Sequence, residues 1–144
     1  MKFERIQSIF CLVVMAWAAL SAAASAADFK VIANPSVSAP ALTAEEIKGV
    51  FLSTRTALSD GSRVEPVLER GGPAHEAFLK AYLGKTDAAL QTYYRSLVFT
   101  GKGAMPKAFA GDAEVVAYVA KTKGAIGYVG AGAGTAGVKT LEVR

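Results

Sequence analysis

The sequence predicts a single α/β domain built around a small, mostly open sheet. Two observations predict this class. Short runs with strand-like composition alternate along the chain with segments of helical spacing, and the chain of 144 residues is long enough for one domain but not comfortably for two. The composition agrees, because 52% of the residues are hydrophobic and a disordered chain is not expected at that level.

The first fifth of the chain has the layout of a secretory signal peptide. Lys2 and Arg5 form a charged start, residues 9–20 are an uncharged apolar run, and residues 21–27 are all Ala or Ser. A retained membrane anchor is the alternative, because the uncharged stretch approaches the length of about 20 residues that a transmembrane helix needs. The Ala and Ser half of this stretch gains little from lipid, so we expect the segment to be removed.

The small residues also indicate where the signal ends. The triplet at residues 24–26 fits cleavage before Ala27, and cleavage before Asp28 is nearly as good. We therefore assign residues 1–26 to the signal peptide and residues 27–144 to an exported domain. The expected location of that domain is a bacterial periplasm.

The composition of the exported domain excludes several classes of function. Removal of Lys2, Glu4 and Arg5 with residues 1–26 lowers Lys+Arg from 16 to 14 and Asp+Glu from 12 to 11, which leaves a net charge of +3. The only cysteine, Cys11, lies in the signal, so the domain has no disulfide, no thiol catalysis and no cysteine metal ligand. No cluster of Lys and Arg suggests a nucleic-acid partner, and none is expected.

Local signals in the first half of the domain predict a strand, a helix and a second strand. Residues 29–33 are β-type and are followed by Asn-Pro. Thr43 with Glu46 three positions later is the signature of a capping box, so a helix begins there. Residues 64–68 form a second short strand, and Pro66 within it suggests a sheet edge.

Three more helices are predicted in the second half. Pro73 suits the first position of a helix, and Gly84 suits its end. Thr86 is predicted to cap a third helix and Asp112 a fourth. Residues 99–109 between these two helices are predicted to be a loop.

Two final strands, residues 125–129 and 138–143, complete an element order of β-α-β-α-α-α-β-β. The glycine-rich stretch between them is predicted to be a flexible, hairpin-like connection. Residues 132–137 match G-x-G-x-x-G, but the seven residues that remain leave no room for the helix that would hold a pyrophosphate. Residues 101–103 lack the Ser or Thr that follows the lysine of a phosphate loop, so a nucleotide site is not expected.

Catalysis and metal binding are not expected either. His75 is the only histidine, and although Glu69 and Glu76 lie near it in sequence, no second histidine or cysteine joins it to form a metal site. No Ser-His-Asp set with a recognisable nucleophile is present. We interpret His75 as a solvated residue at a helix start, and we predict a protein that is not an enzyme and needs no cofactor.

One short segment has a physical basis for binding an anion. Arg70, Gly71 and Gly72 lie between a predicted strand and the start of a helix. The unpaired N–H groups of a first helical turn, the helix dipole and a nearby guanidinium together favour negative charge. The two glycines allow close approach to the backbone. A tight turn with a surface arginine is the simpler alternative.

Considered together, the motifs resemble a known family. The matching features are Leu42-Thr43-x-x-Glu46-Ile47-x-x-Val50-Phe51-Leu52, Asp60-Gly61, Pro66, Phe78, Phe99-Thr100-Gly101-Lys102-Gly103 with Pro106, Gly124-Ala125-Ile126-Gly127-Tyr128-Val129 and Val138-Lys139. This pattern closely resembles the phosphate-binding proteins of ABC transporters, in the type II periplasmic binding protein superfamily. The resemblance covers nearly all of residues 27–144.

The resemblance implies one lobe of the type II periplasmic binding protein fold, with a small mixed sheet flanked by about four helices. It implies a non-catalytic solute-binding role in phosphate or anion uptake. If phosphate is bound, we expect the helix start to hold it through Arg70, Gly71, Gly72 and His75, with Thr100 as a second contact. In that site Arg70 would pair charge, the glycines would offer N–H groups and a protonated His75 would be a further donor. An inner-membrane transporter or sensor is the implied partner.

The helix start departs from the family pattern at one point. The family places Ser-Gly-Thr there, whereas residues 71–74 of this chain carry no hydroxyl. An interaction or sensory module that binds a membrane protein instead of a small ligand is therefore the alternative function. Dimerisation that rebuilds a two-walled cleft is a further possibility.

Overall fold

The computed structural model describes residues 29–144, and the predictions about the signal peptide, Cys11 and the cleavage site lie outside this range. The strands are β1 Phe29–Ala33, β2 Ala41–Leu42, β3 Glu65–Glu69, β4 Lys107–Phe109, β5 Ala125–Gly130 and β6 Lys139–Val143. The helices are α1 Ala44–Phe51, α2 Pro73–Phe78, α3 Asp87–Phe99 and α4 Asp112–Lys121, and α2 continues as a single π-helical segment, Leu79–Leu83.

The six strands form one mixed sheet in the order β2-β6-β1-β5-β3-β4. β1 is antiparallel to both of its neighbours, β5 and β6, whereas the pairs β2–β6, β3–β5 and β3–β4 are parallel. The α/β class and the small mixed sheet are as predicted. The sequence analysis missed β2 and β4, which have two and three residues and are too short for a periodic signal.

Pro66 does not mark a sheet edge, because β3 lies between β5 and β4. The N–H of Glu65 donates to the Gly124 carbonyl on the β5 side, so the nitrogen of Pro66 faces the β4 side. There the pairing with β4 begins only at Val67. An interior strand therefore accommodates proline without losing a hydrogen bond.

The glycine-rich segment after β5 is a crossover and not a hairpin-like connection. β5 and β6 lie on opposite sides of β1 and run in the same direction, so residues 131–138 pass across β1 to reach β6. Ala133 and Val138 of this segment pack with the apolar residues around α4. The prediction failed because the sequence does not show that β1 is inserted between the last two strands.

The sheet has an apolar layer on each face. The larger layer joins the sheet to α1, α2 and α3, and its largest buried side chains are Tyr94, Tyr128, Phe51, Phe78, Ile47, Leu68, Leu79, Leu90 and Ile126. The rings of Phe78 and Tyr128 stack at its centre with 4.0 Å between centroids. The smaller layer holds α4 against the sheet through Ile32, Val67, Val115, Val119, Ala125 and Val129.

Most of the predicted helix boundaries are confirmed. Thr43 and Glu46 form the capping box of α1, and Thr86 caps α3 through the Ala89 N–H. Pro73 lies in the first turn of α2, and Gly84 adopts a left-handed conformation with φ of 61° after the π-helical segment. Gly111, and not Asp112, is the N-cap of α4, because the Asp112 carboxylate accepts the Gly130 N–H instead.

Candidate functional site

The candidate site lies where β3, β4 and β5 end. These strands are parallel, so their last residues, Glu69, Phe109 and Gly130, lie at one edge of the sheet. α2 follows β3 on the face of the larger apolar layer, and α4 follows β4 on the opposite face. In α/β sheets the crevice between two such diverging connections is the usual place for a ligand.

The turn from β3 into α2 offers main-chain donors at this crevice. The Arg70 N–H donates to the Phe109 carbonyl at 2.8 Å, which fixes the turn to the end of β4. Gly72 is the N-cap of α2 with φ of 96°, a conformation that favours glycine, and no side chain caps the helix. The N–H groups of Ala74 and His75 in the first turn therefore have no partner within the helix.

The turn between β3 and α2 is open to solvent. Arg70, Gly71 and Gly72 are all exposed, and space is free around the Cα atoms of both glycines. The predicted residues Arg70, Gly71 and Gly72 therefore lie together at the end of β3, beside an uncapped helix start.

The start of α4, in contrast, carries two of the protein's own carboxylates, Asp112 and Glu114. Asp112 Oδ1 accepts the Gly130 N–H at 3.1 Å, and the Asp112 carboxylate also accepts a hydrogen bond from the Glu69 carboxyl. Glu114 Oε2 accepts the Ala110 N–H at 3.1 Å. Neither helix start has a side-chain cap, but the Asp112 and Glu114 carboxylates place negative charge at the start of α4, which disfavours an external anion there.

Glu69 is a buried acid at the end of β3. It is 4% exposed, and its Oε1 atom has no hydrogen-bond partner in the described part of the chain. Burial raises the pKa of Glu69 to about 8, and the neighbouring Asp112 adds to this rise. The pKa of Asp112 is lowered, first by the hydrogen bond from Glu69 and then by the Gly130 N–H. At neutral pH the pair is a neutral Glu69 donating to a charged Asp112.

His75 is buried and not solvated, which corrects the sequence-based interpretation. It is 1% exposed, and both ring nitrogens are engaged: Nδ1 with the Tyr128 hydroxyl and Nε2 with Asp87 Oδ1 at 2.7 Å. The Tyr128 oxygen also accepts the Glu69 N–H at 3.1 Å. A neutral His75 satisfies every group if its Nε2–H donates to Asp87 and its Nδ1 accepts from Tyr128.

The imidazole therefore has no free nitrogen for an anion. Its contacts instead join the start of α2 to β5 through Tyr128 and to the start of α3 through Asp87. His75 can contribute to an anion site only through its main-chain N–H. Its side chain bonds to neither Glu69 nor Glu76.

No hydrogen bond connects Thr100 to the turn between β3 and α2. It is the exposed C-cap of α3, and its hydroxyl donates to the Ser96 carbonyl at 2.8 Å. Among residues 29–144, no group of three or more His, Cys, Asp and Glu side chains could hold a metal ion. The same residues contain no helix with the length and apolar character needed to cross a bilayer.

Sequence reasoning missed three residues that shape this region: Asp87, Asp112 in its tertiary role, and Tyr128. Asp87 lies 12 positions from His75, and Tyr128 lies 53 positions from it. No motif of fixed spacing predicts such contacts. The only feature of the sequence that could have indicated a buried polar cluster was Glu69, because this acid directly follows the apolar strand residues Val67 and Leu68.

Several solved structures are similar to this fold. A putative phosphate ABC transporter substrate-binding protein with bound phosphate from Clostridium perfringens matches with a TM-score of 0.61 and 17% identity, covering 81% of this chain and 44% of that one. PstS from Borrelia burgdorferi matches with a TM-score of 0.61, 14% identity, and coverage of 81% and 47%. An ABC-type phosphate transport receptor from Vibrio cholerae matches with a TM-score of 0.53, 14% identity, and coverage of 81% and 46%.

These similarities establish the architecture. The described chain has the fold of a single lobe of a periplasmic binding protein, as the sequence predicted. It spans less than half the length of each of these structures. No protein-family model and no curated protein matches the sequence.

Proposed function

We propose that this chain is an exported, non-catalytic solute-binding lobe that takes a small oxyanion such as phosphate at the turn between β3 and α2, in the service of ABC-type uptake. The observation that carries the proposal is the uncapped start of α2 at the sheet edge, with Arg70 beside it. The phosphate-binding proteins with the same lobe fold support the choice of ligand.

The charges around the turn are compatible with an anion at neutral pH. The Glu69–Asp112 pair carries a single negative charge because Glu69 keeps its proton, and Lys30 is close enough to help to lower the pKa of Asp112. Arg70 adds a positive charge that no carboxylate in the described residues pairs within salt-bridge distance. Charge-assisted hydrogen bonds to an oxyanion are about twice as strong as neutral ones, so Arg70 and the free amides supply the main attraction.

Calorimetric titration with inorganic phosphate at low salt tests the proposal. We expect saturable heat that weakens roughly tenfold or more in Arg70→Ala, because a hydrogen bond to a charged group is lost. Gly71→Ala should also weaken binding, since its Cβ fits without strain but narrows the approach to the amides. Arg63→Ala, an exposed arginine elsewhere, is the matched control and should bind as the unmodified protein does.

The titration also separates the two functions that the sequence allowed. If phosphate at about millimolar concentration gives no heat, or if Arg70→Ala and Arg63→Ala bind equally well, the anion site is wrong. In that case recovery of a membrane protein by crosslinking would support the interaction module.

A further inference from the structure

An exposed apolar patch lies at the end of α3, away from any function assigned above. It consists of Val98, Phe99 and Met105, which are 53%, 93% and 44% exposed. These are the exposed large hydrophobic side chains of the described residues. A phenylalanine with nearly all of its surface in water gains nothing from its own fold, so a partner would gain from covering it.

The backbone turns back on itself between Phe99 and Met105, so the three side chains belong to one short segment of the surface. Gly101 adopts a left-handed conformation with φ of 68°, and the chain turns back on the last turn of α3. The Gly101 N–H donates to the Val98 carbonyl, and the Lys102 N–H donates to the Leu97 carbonyl at 2.9 Å. A Cβ added at Gly103 would lie 3.6 Å from a Leu97 side-chain atom, so the returning chain passes alongside the last turn of α3, and Met105 follows two residues later.

Two positive charges lie close to this patch in the chain. Residues 88–111 contain no Asp or Glu. Arg95 precedes Phe99 by four residues, so the two share a helix face, and Lys102 lies in the turn that follows. Both cations are exposed, and neither forms a salt bridge within residues 29–144. Lys107 is less available, because it donates to the Tyr118 hydroxyl, which itself donates to Glu65.

The shape and charge of the patch favour one kind of partner. Phe99 is 93% exposed, so it projects from the surface instead of lining a groove. A second copy of the same patch would bring like charges together, which opposes self-association. An anionic lipid surface accepts a projecting aromatic ring at its headgroup boundary and attracts Lys and Arg to its phosphates.

We infer that the patch of Val98, Phe99 and Met105, with Arg95 and Lys102, docks the protein on an anionic lipid bilayer. The interaction is weak and reversible, because a single aromatic side chain and two cations give a small contact. It does not depend on phosphate binding at the α2 start, so either proposal can fail alone.

Tryptophan fluorescence tests the inference in the full chain. In a Trp17→Phe background, Phe99→Trp places the only tryptophan in the patch, and Ala136→Trp places it at an exposed position in the 131–138 crossover as the control. We expect vesicles that contain phosphatidylglycerol to shift the emission of the Phe99→Trp protein to shorter wavelength. Vesicles of phosphatidylcholine alone, and the Ala136→Trp protein, should show a much smaller shift.

Charge variants test the electrostatic part. Arg95→Gln with Lys102→Gln should raise the lipid concentration needed for half of the shift by about tenfold or more. Lys121→Gln with Lys123→Gln removes two exposed cations elsewhere and should change it little. Added salt should weaken the shift, since exposed charges are screened.

Several outcomes would overturn the inference. Equal shifts at positions 99 and 136 would mean that another part of the chain meets the membrane. A shift with an acidic polypeptide but not with vesicles would identify a protein-docking surface, and a shift that depends on protein concentration without lipid would identify self-association. The absence of any shift with phosphatidylglycerol vesicles would remove the patch as a docking site.

Discussion

At the residue scale, His75 and Glu69 show how burial changes the meaning of a polar side chain. His75 holds the start of α2 to Tyr128 and Asp87 and has no free ring nitrogen. Glu69 is buried beside another acid and keeps its proton at neutral pH. Neither side chain is therefore available to the proposed anion, which Arg70 and main-chain N–H groups would have to hold.

Ionisation of Glu69 should make stability depend on pH. Its pKa is about 8 in the folded protein and 4.5 in an unfolded reference, so the folded state holds a proton that the unfolded state releases. The free energy of unfolding should fall as pH rises from about 5 to 9, by up to about 4 kcal/mol. Glu69→Gln should remove this fall, because the amide donates to Asp112 at every pH.

Urea unfolding at pH 5, 7 and 9 measures the effect. Glu142→Gln, an exposed acid on β6, is the control and should follow the unmodified protein. If the unfolding free energies of Glu69→Gln and the unmodified protein change equally with pH, the assignment of the proton to Glu69 is wrong.

At the element scale, the starts of α1, α3 and α4 show that a helix cap can be predicted when its hydrogen-bond partners are close in sequence. The capping box of α1 and the cap of α3 use atoms within three positions of each other, so they could be predicted from the sequence. Asp112 had the same local appearance at the start of α4. Its carboxylate instead accepts hydrogen bonds from Gly130, 18 positions away, and from Glu69, 43 positions away. The cap prediction failed there for that reason.

Loss of the α1 cap should lower stability measurably. Thr43→Ala removes the acceptor of the Glu46 N–H and weakens the reciprocal contact, which should cost about 1 kcal/mol of unfolding free energy. Thr92→Ala in the exposed middle of α3 removes only a hydroxyl that donates to the Ala88 carbonyl, and it should change stability by less than about 0.5 kcal/mol. Chemical denaturation of the two variants gives the comparison, and equal losses would contradict a special role for the cap.

At the scale of the whole molecule, the two apolar layers share one sheet. β1, β3 and β5 contribute residues to both layers, so neither layer can be lost without exposing the other face of the same strands. The layers should therefore unfold together. This coupling also holds the crevice in place, because its edges belong to β3, β4 and β5.

A chain that begins at Ala27 should fold and unfold in one cooperative transition. All six strands and both layers lie within residues 29–144, and a domain of this size can be stable alone. Calorimetry and circular dichroism should give coincident transitions, and sedimentation should give a monomer of about 12 kDa. A mass near twice that value would instead support the dimer that rebuilds a cleft.

A shorter chain that ends at Gly137 provides the contrast. It lacks β6 and the buried Leu141, which exposes the edge of β1 and should abolish the transition. If the shortened chain melts as the longer one does, β6 is not part of the cooperative unit.

The sequence by itself determined the α/β class, the caps of α1 and α3, the ends of α2 and the positions of four of the six strands. It also indicated the Arg70-Gly71-Gly72 turn as the candidate anion site. The tertiary structure decided that the segment after β5 crosses β1, that Pro66 is interior, and that His75 faces Tyr128 and Asp87 instead of solvent. The reason is the sequence separation of the interacting residues. Caps and turns depend on neighbours a few positions away, whereas strand order and buried polar contacts involve residues that only the folded sheet brings together.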